Sequence, residues 1–157
     1  VEEAARYVVR QDVEHSVLLS PTGEVVDTRI GDAGTVSLGG TPQERQNAVA
    51  VHNHRRGRGF SPEDVGAAMA SDLRELQAVG TVNGRRVTYR MQRPAGGWPT
   101  NDRQQAMQYY AEAQGGAVGR YAHMTPEQVA AHQPHEAHYA MELLAARFRL
   151  GYSRTVE

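Results

Sequence analysis

The chain has 157 residues, 39% of them hydrophobic and 22% charged, with a formal net charge of −1. That length suits one domain and supports a core without covalent staples. The near-neutral balance lacks the basic excess that binds nucleic acid or anionic membrane. The absence of cysteine excludes disulfides, thiolate metal sites and cysteine nucleophiles. No apolar run approaches the roughly 20 residues of a membrane span. The opening Val1-Glu2-Glu3 is unlike a signal peptide. The chain starts without Met and reads as a piece of a longer protein, either cytoplasmic or delivered as part of a larger secreted one. All 17 basic residues are Arg, as GC-rich coding or avoidance of lysine-directed modification would give.

In chain order, residues 1–10 carry Ala, Tyr and Val at helical spacing. Val17-Leu18-Leu19 reads as a strand, Ser20-Pro21-Thr22-Gly23 as a turn and Glu24 to Ile30 as the returning strand. Gly31, Gly34, Gly39 and Gly40 mark loops around a short strand expected over 35–38. Thr41-Pro42-Gln43-Glu44 has the form of a capping box and opens a helix. Ala48 to Val51 is a continuous apolar run of strand length that leads into His52-Asn53-His54. After the loop Arg55–Gly59, Ser61-Pro62-Glu63-Asp64 opens another helix. Val65, Met69, Leu73 and Leu76 predict one apolar face on it, with Gly80 ending the helix. Asn83-Gly84 predicts a two-residue hairpin between Thr81-Val82 and 87–91. Beyond the Trp98 loop the pattern is almost purely helical. One helix is expected from about Asp102 to Gln114, stopped by Gly115-Gly116. A capping box stands at Thr125–Gln128, and a last helix through Ala140, Leu143, Leu144 and Phe148 stops at Gly151. The class is α+β, with a first part over 1–98 and a helical C-terminal extension over 99–157 packed on it.

His52 and His54 are two apart at a strand end, so their side chains point to the same side. Asp64, in the first turn of the next helix, supplies a third ligand. Two His and one carboxylate with a fourth position left open form the pattern of a catalytic zinc ion. Such an ion makes hydroxide available near neutral pH. A hydrolase also needs a base for the water's proton and a donor for the developing oxyanion. Glu14, before the first strand, is the candidate base, with Glu24 as a competitor. Ser61 is the candidate donor, its backbone capping the helix while its hydroxyl faces the site.

The run His52-x-His54, six residues, Ser61-x-x-Asp64, with an acidic residue on an early strand, resembles the JAB/MPN (JAMM) metalloprotease family. It is most similar to the RadC-like and phage- or toxin-associated bacterial branch. The resemblance covers roughly residues 10–92. Arg55 stands where Pro commonly follows the second His. The resemblance implies a mixed β-sheet flanked by helices, zinc held by His52, His54 and Asp64, Ser61 assisting the oxyanion and Glu14 as base. It also implies cleavage of a peptide or isopeptide bond, with ubiquitin-like proteins among the substrates, by a module of a larger mobile-element or toxin-associated protein. The alternative is a non-catalytic module of the same fold that binds a protein or nucleic-acid partner. A metal-dependent nuclease would need a nucleic-acid groove, of which the charge balance gives no sign.

Two further groups stand apart. His132, His135 and His138 form a second histidine cluster, with Glu142 four residues after His138, but the spacing is not that of H-E-x-x-H. Arg55, Arg56 and Arg58 lie in a Gly-rich loop and can hold an acidic partner or simply remain solvated.

Overall fold

The computed structural model describes residues 1–32 and 36–157. Six strands form one mixed sheet in the order β2-β1-β3-β4-β5-β6. They are β1 (His15–Leu19), β2 (Val25–Ile30), β3 (Val49–Asn53), β4 (Glu75–Val82), β5 (Arg85–Gln92) and β6 (Gly151–Val156). β3 and β4 run parallel; the other neighbours are antiparallel. The helices are α1 (Glu2–Val8), α2 (Pro42–Arg45), α3 (Pro62–Ala70), α4 (Arg103–Gly119), α5 (Pro126–His132) and α6 (Glu136–Phe148). This is the α+β class. No helix among the described residues is long and apolar enough to cross a membrane.

Strand alternation divides the core in two. Val17, Leu19, Val49, Val51 and Val79 pack against Ala4, Ala5 and Val8 of α1. Leu18, Ala48, Ala50, Leu76, Ala78, Tyr89 and Met91 face the other way, onto α3, α4 and α6. Each fully buried Leu or Met in this larger cluster contributes about 1.5–3 kcal/mol over its exposed state. Because β1 and β3 are buried on both faces, their segments 17–19 and 49–51 read as unbroken apolar runs.

The helix expected to reach Gly80 is two elements. α3 ends at Ala70, Asp72 takes a left-handed conformation (φ 52°), and the chain returns as β4. Val65 and Met69 enter the core from the helix, while Leu73 and Leu76 enter it after the turn. Gly80 lies inside β4. A Cβ there would sit 2.4 Å from the His54 carbonyl oxygen and 2.5 Å from Gly57 Cα, so only glycine lets the loop after β3 cross this strand.

Asn83 and Gly84 both have positive φ (51° and 76°), as a two-residue type I′ hairpin requires. Gly115-Gly116 does not stop α4, which continues to Gly119. A Cβ on Gly116 would lie 3.1 Å from Leu143 of α6, so this glycine sits at a close helix contact. Its intrinsic cost of about 1 kcal/mol is carried by the packing of a long helix.

The expected short strand over 35–38 falls partly outside the described residues, and Val36, Ser37 and Leu38 have no regular structure. The last helix, expected to stop at Gly151, ends at Phe148, and residues 151–156, unassigned in the sequence, form β6. It pairs with β5 from Val87↔Val156 to Gln92↔Gly151 after Arg149 closes α6 in a left-handed conformation (φ 59°).

Candidate metal centre

β3 ends at a cluster of two histidines and an aspartate. Its alternation sends His52 to the α3 side with Ala48 and Ala50, and Asn53 to the α1 side with Val49 and Val51. Asn53 there ties down the chain before β1. Its Oδ1 accepts from His15 N–H (2.5 Å), and its amide donates to the Val13 carbonyl (3.1 Å). His54 follows just beyond the strand, its N–H bonded to the Val79 carbonyl of β4 (2.8 Å).

α3 begins where Asp64 can meet both rings. His52 Nε2 lies 3.2 Å from Asp64 Oδ1, and His54 Nε2 lies 3.3 Å from Asp64 Oδ2. The two Nε2 atoms are 2.9 Å apart. His52, His54 and Asp64 are the one group of three such side chains, among the described residues, whose ligand atoms converge well enough to hold a metal ion. His54 Nδ1–H donates to the Arg58 carbonyl (2.8 Å). A carbonyl only accepts, so the proton is on Nδ1, and in the neutral ring Nε2 keeps its lone pair for the cluster. A metal-binding histidine is oriented by such a bond from its other ring nitrogen.

Burial alone would raise the Asp64 carboxyl pKa, but the charge and hydrogen bonds of His52 and His54 hold it well below the ordinary value. Burial likewise pulls the His54 ring down, and its hydrogen bond and charge interaction with Asp64 outweigh that and lift it. The cluster therefore concentrates negative charge beside two imidazoles in a largely enclosed place, and two nitrogens with one carboxylate oxygen suit a divalent transition metal.

Ser61 is the N-cap of α3. Its hydroxyl accepts from Asp64 N–H (3.2 Å), and its own N–H donates to Asp64 Oδ2 (2.7 Å). The cap thus uses the hydroxyl as well as the backbone. One lone pair of the hydroxyl is engaged by that bond, which leaves its proton unused.

Glu14 is not one of the three converging ligands. It precedes β1, is buried (8% exposed), and extends the hairpin ladder through Glu14 N–H to the Asp32 carbonyl (2.9 Å). Ser16 pairs with His52 at the end of the β1–β3 ladder, and Glu14, two residues earlier, lies close enough to His54, His52 and Asp64 to feel their charges. Burial raises its carboxyl pKa, against the opposing pull of His54 and His52. Glu24 lies exposed at the far end of the β1–β2 hairpin, away from the β1 residues that pair with His52.

The loop between His54 and α3 is fastened by two residues with no motif to mark them. Tyr89 of β5 donates to the Gly57 carbonyl (2.9 Å), and Tyr110 of α4 donates to the Phe60 carbonyl (2.6 Å). Their signal in the sequence is only that each is a tyrosine in an otherwise apolar stripe. Arg55, Arg56 and Arg58 are exposed on this loop.

His132, His135 and His138 surround the Tyr139 ring at 4.9, 6.4 and 5.5 Å between centroids. His138 Nδ1 is 2.9 Å from the Tyr152 hydroxyl, and its Nε2 is 3.3 Å from Glu142. They form no second metal-holding group among the described residues.

No family model matches the sequence, and no curated protein or solved structure is significantly similar to it.

Proposed function

We propose that this chain is a zinc-dependent hydrolase of the JAB/MPN type, acting on a peptide or isopeptide bond. The observation that carries the reading is the approach of His52 Nε2 and His54 Nε2 to 2.9 Å of each other, with Asp64 Oδ1 3.2 Å from the first and Asp64 Oδ2 3.3 Å from the second. Tetrahedral zinc with bonds of about 2.0–2.1 Å sets its ligands roughly 3.3 Å apart, close to the spacing between each ring nitrogen and its nearest Asp64 oxygen. The tautomer fixed by Arg58 and the position of buried Glu14, close enough to feel the charges of the cluster, support it further.

His52, His54 and Asp64 would hold the ion. Zinc held there supplies a Lewis acid for the carbonyl and acidifies water toward about neutral pH. Glu14 accepts the proton of the attacking water and returns it to the leaving amine; its raised pKa eases that return. Ser61 donates its hydroxyl proton to the developing oxyanion while its lone pair stays on Asp64 N–H. The substrate is a protein chain, with ubiquitin-like proteins the class to try first, and the parent is a larger bacterial protein.

The test has two parts. Purified protein should hold about one zinc per chain, and the double variant His52→Ala/His54→Ala should hold none while keeping its circular dichroism spectrum. Against a panel of ubiquitin-like and peptide fusions, Glu14→Gln should keep zinc and lose turnover. Full zinc in the double variant removes the metal site from this cluster. Undiminished cleavage by Glu14→Gln removes Glu14 as the base. Zinc binding with no cleavage of any fusion identifies a metal-holding module that binds a partner instead.

A further inference from the structure

Ser16 of β1 and His52 of β3 are directly opposed in the sheet, and both are buried, at 0% and 3% exposure. Alternation puts both on the α3 side, with Leu18 and Ala50 as their neighbours on that face. Among the described residues, the buried side-chain polar atoms lacking a hydrogen-bond partner are Ser16 Oγ, His52 Nδ1, Arg86 Nε and Arg154 Nε. Both arginine atoms are donors. Ser16 Oγ is the one oxygen in this set, and it belongs to the residue facing His52.

His52 turns Nε2 toward His54 and Asp64. A neutral imidazole that offers its Nε2 lone pair to a metal carries its proton on Nδ1, and ligating histidines donate that proton to a neighbouring oxygen. His54 does so to the Arg58 carbonyl. His52 has no corresponding backbone acceptor. Directly opposed residues of an antiparallel pair have Cβ atoms about 4.5–5.5 Å apart, a span that a serine hydroxyl and an imidazole edge can close between them. Neither atom is hydrogen-bonded in the structure; rotation of the serine hydroxyl, or one water bonded to both, would join them.

We propose that Ser16 is a positioning residue for His52, its hydroxyl accepting the Nδ1–H, directly or through one water, and so fixing the ring with Nε2 toward the metal. The assignment rests on the zinc reading above. Ser16 acts on the ion only through His52. The chain entering β1 then serves the site twice, with Glu14 just before the strand and Ser16 within it.

The experiment measures zinc affinity of the full chain by competition with a chelator, in wild type, Ser16→Ala and Ser16→Thr. The side-chain nitrogen resonances of His52 are followed by NMR in the zinc-loaded proteins. Ser16→Ala should bind zinc about 10–100-fold more weakly, the usual loss for an outer-shell partner. Its His52 Nδ1–H proton should exchange faster. Ser16→Thr, which keeps the hydroxyl, should recover most of the affinity. A serine that merely fills space would change the melting temperature and leave both readouts alone. Wild-type affinity in Ser16→Ala, with an unchanged Nδ1–H signal, overturns the assignment. If wild type itself binds no zinc, the zinc reading fails and takes this assignment with it, so the two failures are told apart.

Discussion

Asp64 Oδ2 accepts the Ser61 N–H at 2.7 Å and lies 3.3 Å from His54 Nε2, so one carboxylate closes the helix cap and the histidine cluster together. Sequence patterns for a capping box and for a metal ligand overlap here because one side chain closes the cap and also meets both histidines. Its second oxygen completes the arrangement 3.2 Å from His52.

Substitution separates the two roles. Ser61→Ala and Asp64→Ala each break the capping box and should each lower stability by about 0.5–2 kcal/mol in the metal-free protein. Only Asp64→Ala should lose zinc in a chelator competition. Ser61→Ala should keep zinc and lower turnover by about 10²–10³, the effect of one oxyanion donor. Wild-type zinc affinity in Asp64→Ala would reduce Asp64 to a helix cap.

The pH dependence follows from the opposed shifts of Asp64 and His54. Asp64 is held below its ordinary value of 3.8, so its contribution is complete above that value and fades as pH falls through the lowered one. His54 is lifted above 6.5, so its contribution is complete below that value and fades as pH rises through the raised one. Metal-free protein should therefore melt higher near about pH 5.5 than near about pH 8.5, and Asp64→Asn should flatten the difference. Zinc reverses the trend, because its ligands bind deprotonated. The zinc-induced rise in melting temperature should be larger at the higher pH. Equal rises at both would argue against imidazole ligation.

Tyr110→Phe tests whether α4 belongs to the site's scaffold. The hydroxyl donates to the Phe60 carbonyl at 2.6 Å, one residue before the Ser61 cap. Removing it strips that buried carbonyl of its donor, at a cost of about 1–3 kcal/mol. In a domain of this size each kcal/mol lowers the melting temperature by roughly 2–4 °C. Zinc stoichiometry should hold at one per chain. A melting temperature within error of wild type would mean the loop is held by Tyr89 and packing alone.

The placement of His52 and His54 was legible because a buried strand is an apolar run and its side chains alternate; the two histidines simply continue that rule past Val51. Asp64 was legible as a cap. Ser16 was not: it sits in a strand whose pattern is buried throughout, and nothing local distinguishes a serine that faces a histidine from one that fills space. The α3–β4 boundary was hidden for a different reason. Val65, Met69, Leu73 and Leu76 join one core cluster, and helical spacing carries no mark of the reversal at Asp72. β6 escaped notice because an edge strand exposed along much of its length has little alternation to show.

β5 is interior to the sheet only because the last residues of the chain lie beside it. Its Val87, Tyr89 and Met91 are buried, and its outer backbone is satisfied by Gly151–Val156, three strands removed from β3. A protein stopped before Gly151 would present β5 as a raw edge, a template for other copies to pair with. The solubility of shortened forms therefore turns on a six-residue tail that contributes none of the proposed zinc ligands.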